Sequence, residues 1–484
     1  MGVIFTFIVG LFMAFEPITD DDWFWHYVIG NFINNNHVIP TKELFSWYGN
    51  FSWTAHEWLT ELIMYKLTPV GCIIIMLVIF GLLYFLMAKM LRVKLKQIFD
   101  FKLLYLLLMT VFFKVTGPRP YIISLLFFAY LIYVLFSYLD DNKKVRKLIW
   151  TIPLLQILWV NFHGGSSSLS YLFILGVLIC DGLLKIIPLK SDRFSWFKLD
   201  KKQVKTLLIV LGLTIGATML NPFGIKMLLY PFSNMADNSM LDYILEWASP
   251  SFHGFFGLYI FLMIAIPLFN LILTKDKMKF HEIAFQLLMF YMCLKSQRFV
   301  GMYGIYSTWT LGKYFFVTDE MYLDLKKPFK KHLKLYRTIF IIILALLMVG
   351  VGYKQTKTFV NTGIIDNDGF YSDAAIAKLI ELKPQRLYND YSQGGYLLYK
   401  LNEDKALADV QVFGYGLGDV FSTTILPDSM NLSDLKTDPQ SILDKYDFDT
   451  IITTKNHTLH YYLAVNDNYE LVYSDDMCYI FIKK

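Results

Sequence analysis

Three consecutive carboxylates, Asp20, Asp21 and Asp22, stand just after an apolar segment and directly before Trp23-Phe24-Trp25-His26. Acid placed at a membrane surface is costly unless it has a task. A carboxylate within hydrogen-bond reach of a hydroxyl can take its proton as the oxygen attacks an electrophilic carbon. Asp20 and Asp22, one residue apart, could instead bind a divalent cation such as Mg or Mn; the plainer alternative is a helix N-cap with solvated acids.

A second acidic stretch runs Trp53-Thr54-Ala55-His56-Glu57-Trp58-Leu59, with Glu61 following. Glu57 and Glu61 are four apart and share one helix face. They read as a second acid pair or a metal partner, or else as acids of an interfacial helix facing water. No second His follows at i+4, which excludes a zinc-protease motif.

Arg119, in Gly-Pro-Arg-Pro, and Arg298, in Ser-Gln-Arg-Phe, each begin an apolar segment. A guanidinium fork matches phosphate oxygens and stabilises charge on a leaving group, although snorkelling to head groups would use the same residues. Asn161 and His163, in Trp159-Val160-Asn161-Phe162-His163-Gly164, could bind hydroxyls or a phosphate, or simply end a helix in water. Glu246-Trp247 offers an acid beside a stacking platform, or a belt residue beside a solvated acid.

The elements that must position these residues are mostly apolar. With 484 residues, 55% hydrophobic and 18% charged, the chain has the composition of a membrane protein. Its aromatic content suits belts at both interfaces. Apolar runs predict about eleven spans, near 1–15, 71–91, 102–117, 120–139, 147–163, 166–186, 204–220, 254–274, 281–295, 299–317 and 337–353. Met1 to Phe15 reads as a retained first helix, and whether the natural N-terminus is complete stays open.

Alternate loops differ sharply in charge. One set carries runs such as Lys143, Lys144, Arg146 and Lys147, or Lys326, Lys327, Lys330 and Lys331. The other, up to the last span, has only Lys42, Lys66, Lys114, Arg119, Lys226, Lys295 and Arg298. The positive-inside rule makes the first set cytoplasmic. Asp20 to Asp22, His56-Glu57, Arg119, Asn161, His163, Glu246 and Arg298 then all fall outside, as expected of one extracytoplasmic active site.

Helices are expected over Trp23 to Ile33 and Ala55 to Lys66 within a first external loop, 16–70. Past Tyr353 short strands and helices alternate, including an apolar run at Ala406 to Ala408, which predicts a small α/β domain. The expected fold class is mainly α, a polytopic transmembrane bundle over 1–353 followed by an extracytoplasmic α/β domain over 354–484. Gly414-x-Gly416-x-Gly418 lacks the setting of a dinucleotide loop and reads as a plain turn. The cysteines, Cys72, Cys180, Cys293 and Cys478, show no disulfide or metal spacing.

The run Asp20-Asp21-Asp22-Trp23-Phe24-Trp25-His26 with Gly30 resembles an aspartate-x-aspartate-x-aromatic-Trp-His-x3-Gly pattern of bacterial GT-C membrane glycosyltransferases, similar to the protein-mannosyltransferase-like group. The His56-Glu57-Trp58-Leu59-x-Glu61 and Trp159-x-Asn161-x-His163-Gly164 runs look like further landmarks of that superfamily, as does Tyr388-Asn389-Asp390-Tyr391. The resemblance implies a polyprenyl-phosphate-sugar donor and an acceptor glycan, lipid or protein of the cell envelope. It implies Asp20 or Asp22 as base, Arg119 and Arg298 on the donor phosphate, and His26, His56, Glu57, Asn161, His163, Glu246 and Trp247 on substrate. The expected setting is the lipid bilayer of a bacterial cytoplasmic membrane, with no nucleic-acid partner. A glycolipid transporter or a non-catalytic glycan-binding protein is the alternative. Transporters usually carry ionisable residues near the bilayer midplane, and the expected spans hold almost none.

Overall fold

The structure is a computed structural model that describes residues 2–93, 101–115, 117–186, 194–195, 198–236, 239–316, 333–403 and 410–484. The run Ala406 to Ala408 and the basic loop Lys326 to Lys331 lie outside the described residues. Two compact units emerge. The first comprises Met1–Glu16, Ile73–Pro231 and Ser249–Gly363, the second Pro17–Cys72, Phe232–Ala248 and Ile364–Lys484. This cut differs from the 1–353 and 354–484 division expected from the sequence, because the first loop belongs with the C-terminal residues.

In the first unit each expected apolar segment coincides with a helix. Tyr121–Leu139 is the most enclosed, with 78% of its most apolar window buried, against 39–44% for Trp58–Met90, Gly164–Ile186 and Gly254–Leu273. Pro120 begins that helix, where a missing N–H costs nothing, and Asp140 closes it. The outward faces stay apolar: Phe85 is 62% exposed, Leu154 62% and Phe255 88%. Such a surface would aggregate in water and is matched by hydrocarbon. Those four helices are long and apolar enough to cross a membrane, and Gly2–Ala14 is a shorter apolar helix. The chain is a membrane protein, mainly helical, with a two-stranded pairing of Phe194–Ser195 and Met278–Lys279 and, among the described residues, one larger, mixed sheet of four strands.

That sheet lies in the second unit. Its strands are β1 (Leu387–Asn389), β2 (Thr450–Thr454), β3 (Tyr469–Ser474) and β4 (Cys478–Lys483), in spatial order β1-β2-β4-β3. β1 and β2 run parallel, with Leu387 opposite Thr450, and the other pairings are antiparallel. All five residues of β2 are buried, as a central strand requires.

The first loop completes this unit. The Ile18 N–H donates to the Ile364 carbonyl at 2.9 Å and the Ile18 carbonyl accepts from Asp366 at 3.0 Å. Trp47 donates through its backbone to Val412 at 3.1 Å and through its indole to the Leu387 carbonyl at 2.8 Å. The Asp21–Asn36 helix buries Trp23, Phe24, Trp25, His26, Val28 and Ile29. Phe24 meets Phe370 and Tyr396 edge-on. The helix expected over Trp23 to Ile33 is therefore a core helix of this unit, because its apolar residues fall all round it.

Candidate functional site

In the second unit the three aspartates divide their work. Asp20 is the N-cap of Asp21–Asn36, its carboxylate accepting from the Asp22 N–H at 3.0 Å. Asp22 accepts from the Trp25 indole at 3.1 Å. Asp21 accepts from the Gly395 and Tyr396 N–H groups at 3.1 and 2.8 Å, two of the orphan donors at the start of the Gly394–Glu403 helix. Burial pushes the Asp21 carboxyl well above the usual carboxylate range, against those two bonds, which favour the anion. The middle aspartate, which the sequence pattern leaves variable, is thus the clamp between two segments far apart in the chain.

The glycine-rich loop dismissed as a plain turn packs on the same aspartates. A Cβ on Gly416 would lie 2.2 Å from Asp22 Oδ1 and 2.6 Å from the Trp25 indole nitrogen. Asn389 pins the loop, donating to the Gly414 carbonyl and accepting from Phe413, both at 2.8 Å. Beside it the buried Glu43 accepts from Phe45 at 2.6 Å, Ser46 at 2.9 Å and the Tyr415 hydroxyl at 3.1 Å. Burial raises its pKa despite these donors. No spacing in the sequence pairs Asn389 or Gly416 with Asp22; that requires the fold.

One turn past Asp22, His26 carries the second part of the site. Its Nδ1 lies 3.0 Å from Glu61 Oε1 and its Nε2 3.7 Å from Glu57 Oε2. His56 Nε2 lies 3.8 Å from Glu57 Oε1. Glu57 ends the turn before the Trp58–Met90 helix and Glu61 lies in that helix's first turn, so the four-residue spacing does put both acids on one side. Glu61 is fully buried, and its Oε2 has no hydrogen-bond partner among the described residues. Burial alone would lower the His26 pKa, but the Glu57 and Glu61 carboxylates outweigh it and raise it. Gly30 makes the approach possible, since a Cβ there would lie 2.0 Å from the Glu61 carbonyl oxygen. His26 and Gly30, four apart, share one helix face, and the glycine brings the backbones close enough for the imidazole to reach both acids.

His26, Glu57 and Glu61 each offer a ligand atom, all within 4.8 Å of one another, so this group could hold a metal ion. Two buried carboxylates facing a single imidazole suit a divalent cation. Asp20 and Asp22, the pair expected from the sequence, serve as helix cap and indole acceptor. Glu61, expected from its spacing to Glu57 to be a second acid or a metal partner, lies in this group, and its closeness to His26 is what the structure adds. Glu246 and Trp247 lie, partly buried, on a turn after the Ser239–Tyr243 helix of this unit.

In the first unit Tyr121 links three expected residues. It follows Arg119-Pro120, its hydroxyl donates to the Arg298 carbonyl, and the Arg298 guanidinium lies 5.2 Å from its ring centre. The His163 ring centre is 6.0 Å away. His163 is buried, with Nδ1 2.6 Å from the Ser124 hydroxyl, which also accepts from the Trp159 indole at 2.8 Å. Asn161 donates to the Ile157 and Leu220 carbonyls, both at 2.8 Å, tying its helix end to the segment before Asn221. That bonding gives Asn161 a structural task.

No family model matches the chain, and no curated protein matches it. A solved structure does. The archaeal oligosaccharyltransferase AglB from Archaeoglobus fulgidus, in complex with an inhibitory peptide and a dolichol-phosphate, is similar over 93% of this chain and 69% of its own, with TM-score 0.50 and 11% identity. The likeness is one of fold.

Proposed function

We propose that the chain is a membrane glycosyltransferase that moves a sugar from a polyprenyl-phosphate-linked donor to an extracytoplasmic glycan, lipid or protein of a bacterial cell envelope. The observation that carries this is the placement of Asp22, in a fold shared with an oligosaccharyltransferase. Asp22 stands at a helix N-terminus, oriented by Trp25 and packed against Gly416, where any larger residue would strike its carboxylate. The AglB structure holds a dolichol-phosphate and a peptide, in keeping with a lipid-linked donor and a polymer acceptor here.

In this reading the acceptor oxygen attacks the anomeric carbon as Asp22, or Asp20, takes its proton. The carbon–oxygen bond to the phosphate breaks, and the phosphate leaves with the electron pair, inverting the carbon. Arg298 and Arg119 hold the phosphate and stabilise its growing charge. His26, His56, Glu57, Asn161, His163, Glu246 and Trp247 serve substrate. A divalent cation would sit on Asp20 and Asp22 or on the His26, Glu57 and Glu61 group, where it would neutralise phosphate charge. About eleven spans cross the membrane, and the first loop and residues 354–484 lie outside.

The test is transfer of label from polyprenyl-phosphate sugars by full-length protein in nanodiscs, with membrane-derived acceptors supplied. Asp22→Asn is expected to lower transfer by about 10²–10⁴-fold at unchanged abundance. Wild-type rates in that variant would remove Asp22 from the chemistry. No transfer by either protein, with donor lipids still bound, would favour a transporter or a glycan-binding role.

A further inference from the structure

A second polar feature lies in the first unit, among residues the glycosyl-transfer reading does not use. Four helix ends meet there: those of Trp58–Met90 and Tyr121–Leu139, the start of Phe280–Lys295 and the end of Val300–Tyr314. Between them is a cavity of about 560 Å³, within the roughly 300–1,000 Å³ range of small-molecule sites. Lys89, Arg92, Lys279 and Lys313 line it, together with Asp140 and Trp309.

The lining is mainly basic. Among the described residues Asp140 is its only carboxylate, with Lys279 and Lys313 each at 2.6 Å and Arg92 at 3.9 Å. The one other acid in this network, the buried Glu282, takes Lys313 at 2.9 Å, the Trp309 indole at 3.0 Å and the Tyr314 hydroxyl at 2.6 Å, and so is already occupied. Lys89 has no carboxylate partner among the described residues; its ammonium lies 4.5 Å from the Tyr133 ring centre and 5.8 Å from that of Phe85. Among the described residues, four cations line the cavity and two carboxylates, Asp140 and Glu282, meet them. Lys279 and Lys313 are only 16% and 14% exposed, so their ammonium groups lie within the cavity wall rather than in open solvent.

The apolar surroundings bear on what anion such a lining would take. Phe85, in reach of the Lys89 ammonium, is 62% exposed, and Leu82 on the same helix is 51% exposed. The rim of the cavity thus joins basic groups to an apolar face that hydrocarbon would cover. Basic pockets between membrane helices suit phosphate-bearing head groups.

We propose that this cavity binds a phosphate-bearing anion, and that its source is either the head group of an anionic membrane lipid or free phosphate. Arg92 and Lys89 reach the phosphate oxygens, while Asp140 holds Lys279 and Lys313 in place beneath. The site is independent of glycosyl transfer, and its failure would leave that reading untouched.

The experiment uses the full chain, delipidated in neutral detergent, and measures binding and thermal midpoint with phosphatidylglycerol, phosphatidylcholine and inorganic phosphate. The comparison variant is Lys89→Gln with Arg92→Gln, since neither residue makes a close ion pair with Asp140. Wild type is expected to prefer phosphatidylglycerol over phosphatidylcholine, and the double variant to bind phosphatidylglycerol about thirtyfold more weakly. Lys89→Arg with Arg92→Lys keeps both charges and should keep the preference. A rise in midpoint with inorganic phosphate alone, lost in the glutamine variant, assigns the site to free phosphate; a response to phosphatidylglycerol only assigns it to lipid. Equal binding of the two lipids with phosphate inert overturns the proposal, as does undiminished phosphatidylglycerol binding by a folded glutamine variant. Should that variant fail to fold, the wild-type lipid preference and its loss at high salt decide the matter.

Discussion

Both units bury ionisable groups, but they differ in what they do with large apolar side chains. The first leaves large apolar side chains outward, Phe255 at 88% and Leu154 at 62% exposure, around a largely enclosed helix, Tyr121–Leu139. The second covers its apolar residues and buries ionisable groups with them: His26, Glu43, Glu57, Glu61 and Asp390. Hydrocarbon solvates the first arrangement at no cost, whereas water rewards the second only if each buried charge finds partners. Asp390 finds Thr453 and Thr454, and Glu43 finds Phe45, Ser46 and Tyr415. Glu61 keeps one carboxylate oxygen unpartnered. Buried polar atoms left without a partner among the described residues recur in this unit, Asp449 Oδ1 and the Trp23 indole nitrogen among them, and Glu61 is the one of these that lies beside the His26 imidazole.

That contrast can be tested from both sides. The largest effect is expected in the first unit, where Arg298→Ala would remove the proposed phosphate ligand: donor use should fall about 10²–10³-fold, with acceptor affinity little changed. Equal losses for donor and acceptor would return Arg298 to a snorkelling role.

In the second unit, Gly30→Ala must push the Asp21–Asn36 helix off the Glu61 carbonyl, at a cost of about 1–3 kcal/mol. Denaturant unfolding checks it, with Gly350→Ala, where a Cβ meets nothing within 4 Å, as the control in the first unit. A Gly30 variant as stable as that control would show that the backbones do not approach so closely.

The smallest effect concerns pH. The folded-state pKa of His26 is raised, so the stability it adds is complete below about pH 6.5, the unfolded value, and is lost as pH rises through the folded value. Thermal midpoints taken across neutral pH should fall with rising pH in wild type and flatten in His26→Gln. Identical slopes would mean that the Glu57 and Glu61 carboxylates do not hold the imidazolium.

Much of the first unit was legible because a membrane helix announces itself by length and hydropathy alone, and each expected apolar segment is helical here. The number of crossings belongs to the proposal, since four helices satisfy both criteria among the described residues. The second unit was legible in pieces. Asp20 as cap, the helix after it and the shared side of Glu57 and Glu61 follow from local spacing. The role of Asp21 does not, because its partners Gly395 and Tyr396 lie more than 370 residues along the chain. Trp47 likewise meets Leu387 with no periodicity to signal it.

What the sequence determined by itself is therefore what short-range physics controls: apolar runs that seek hydrocarbon, caps that satisfy orphan N–H groups, and a His26 to Gly30 spacing that puts imidazole and glycine on one face. Only the tertiary structure joined the first loop to the C-terminal residues in one unit, seated Gly416 against Asp22, brought Glu61 to His26 and gathered four cations around one cavity. Each of these depends on closing long loops, whose cost is repaid by buried contacts that no local window of sequence contains.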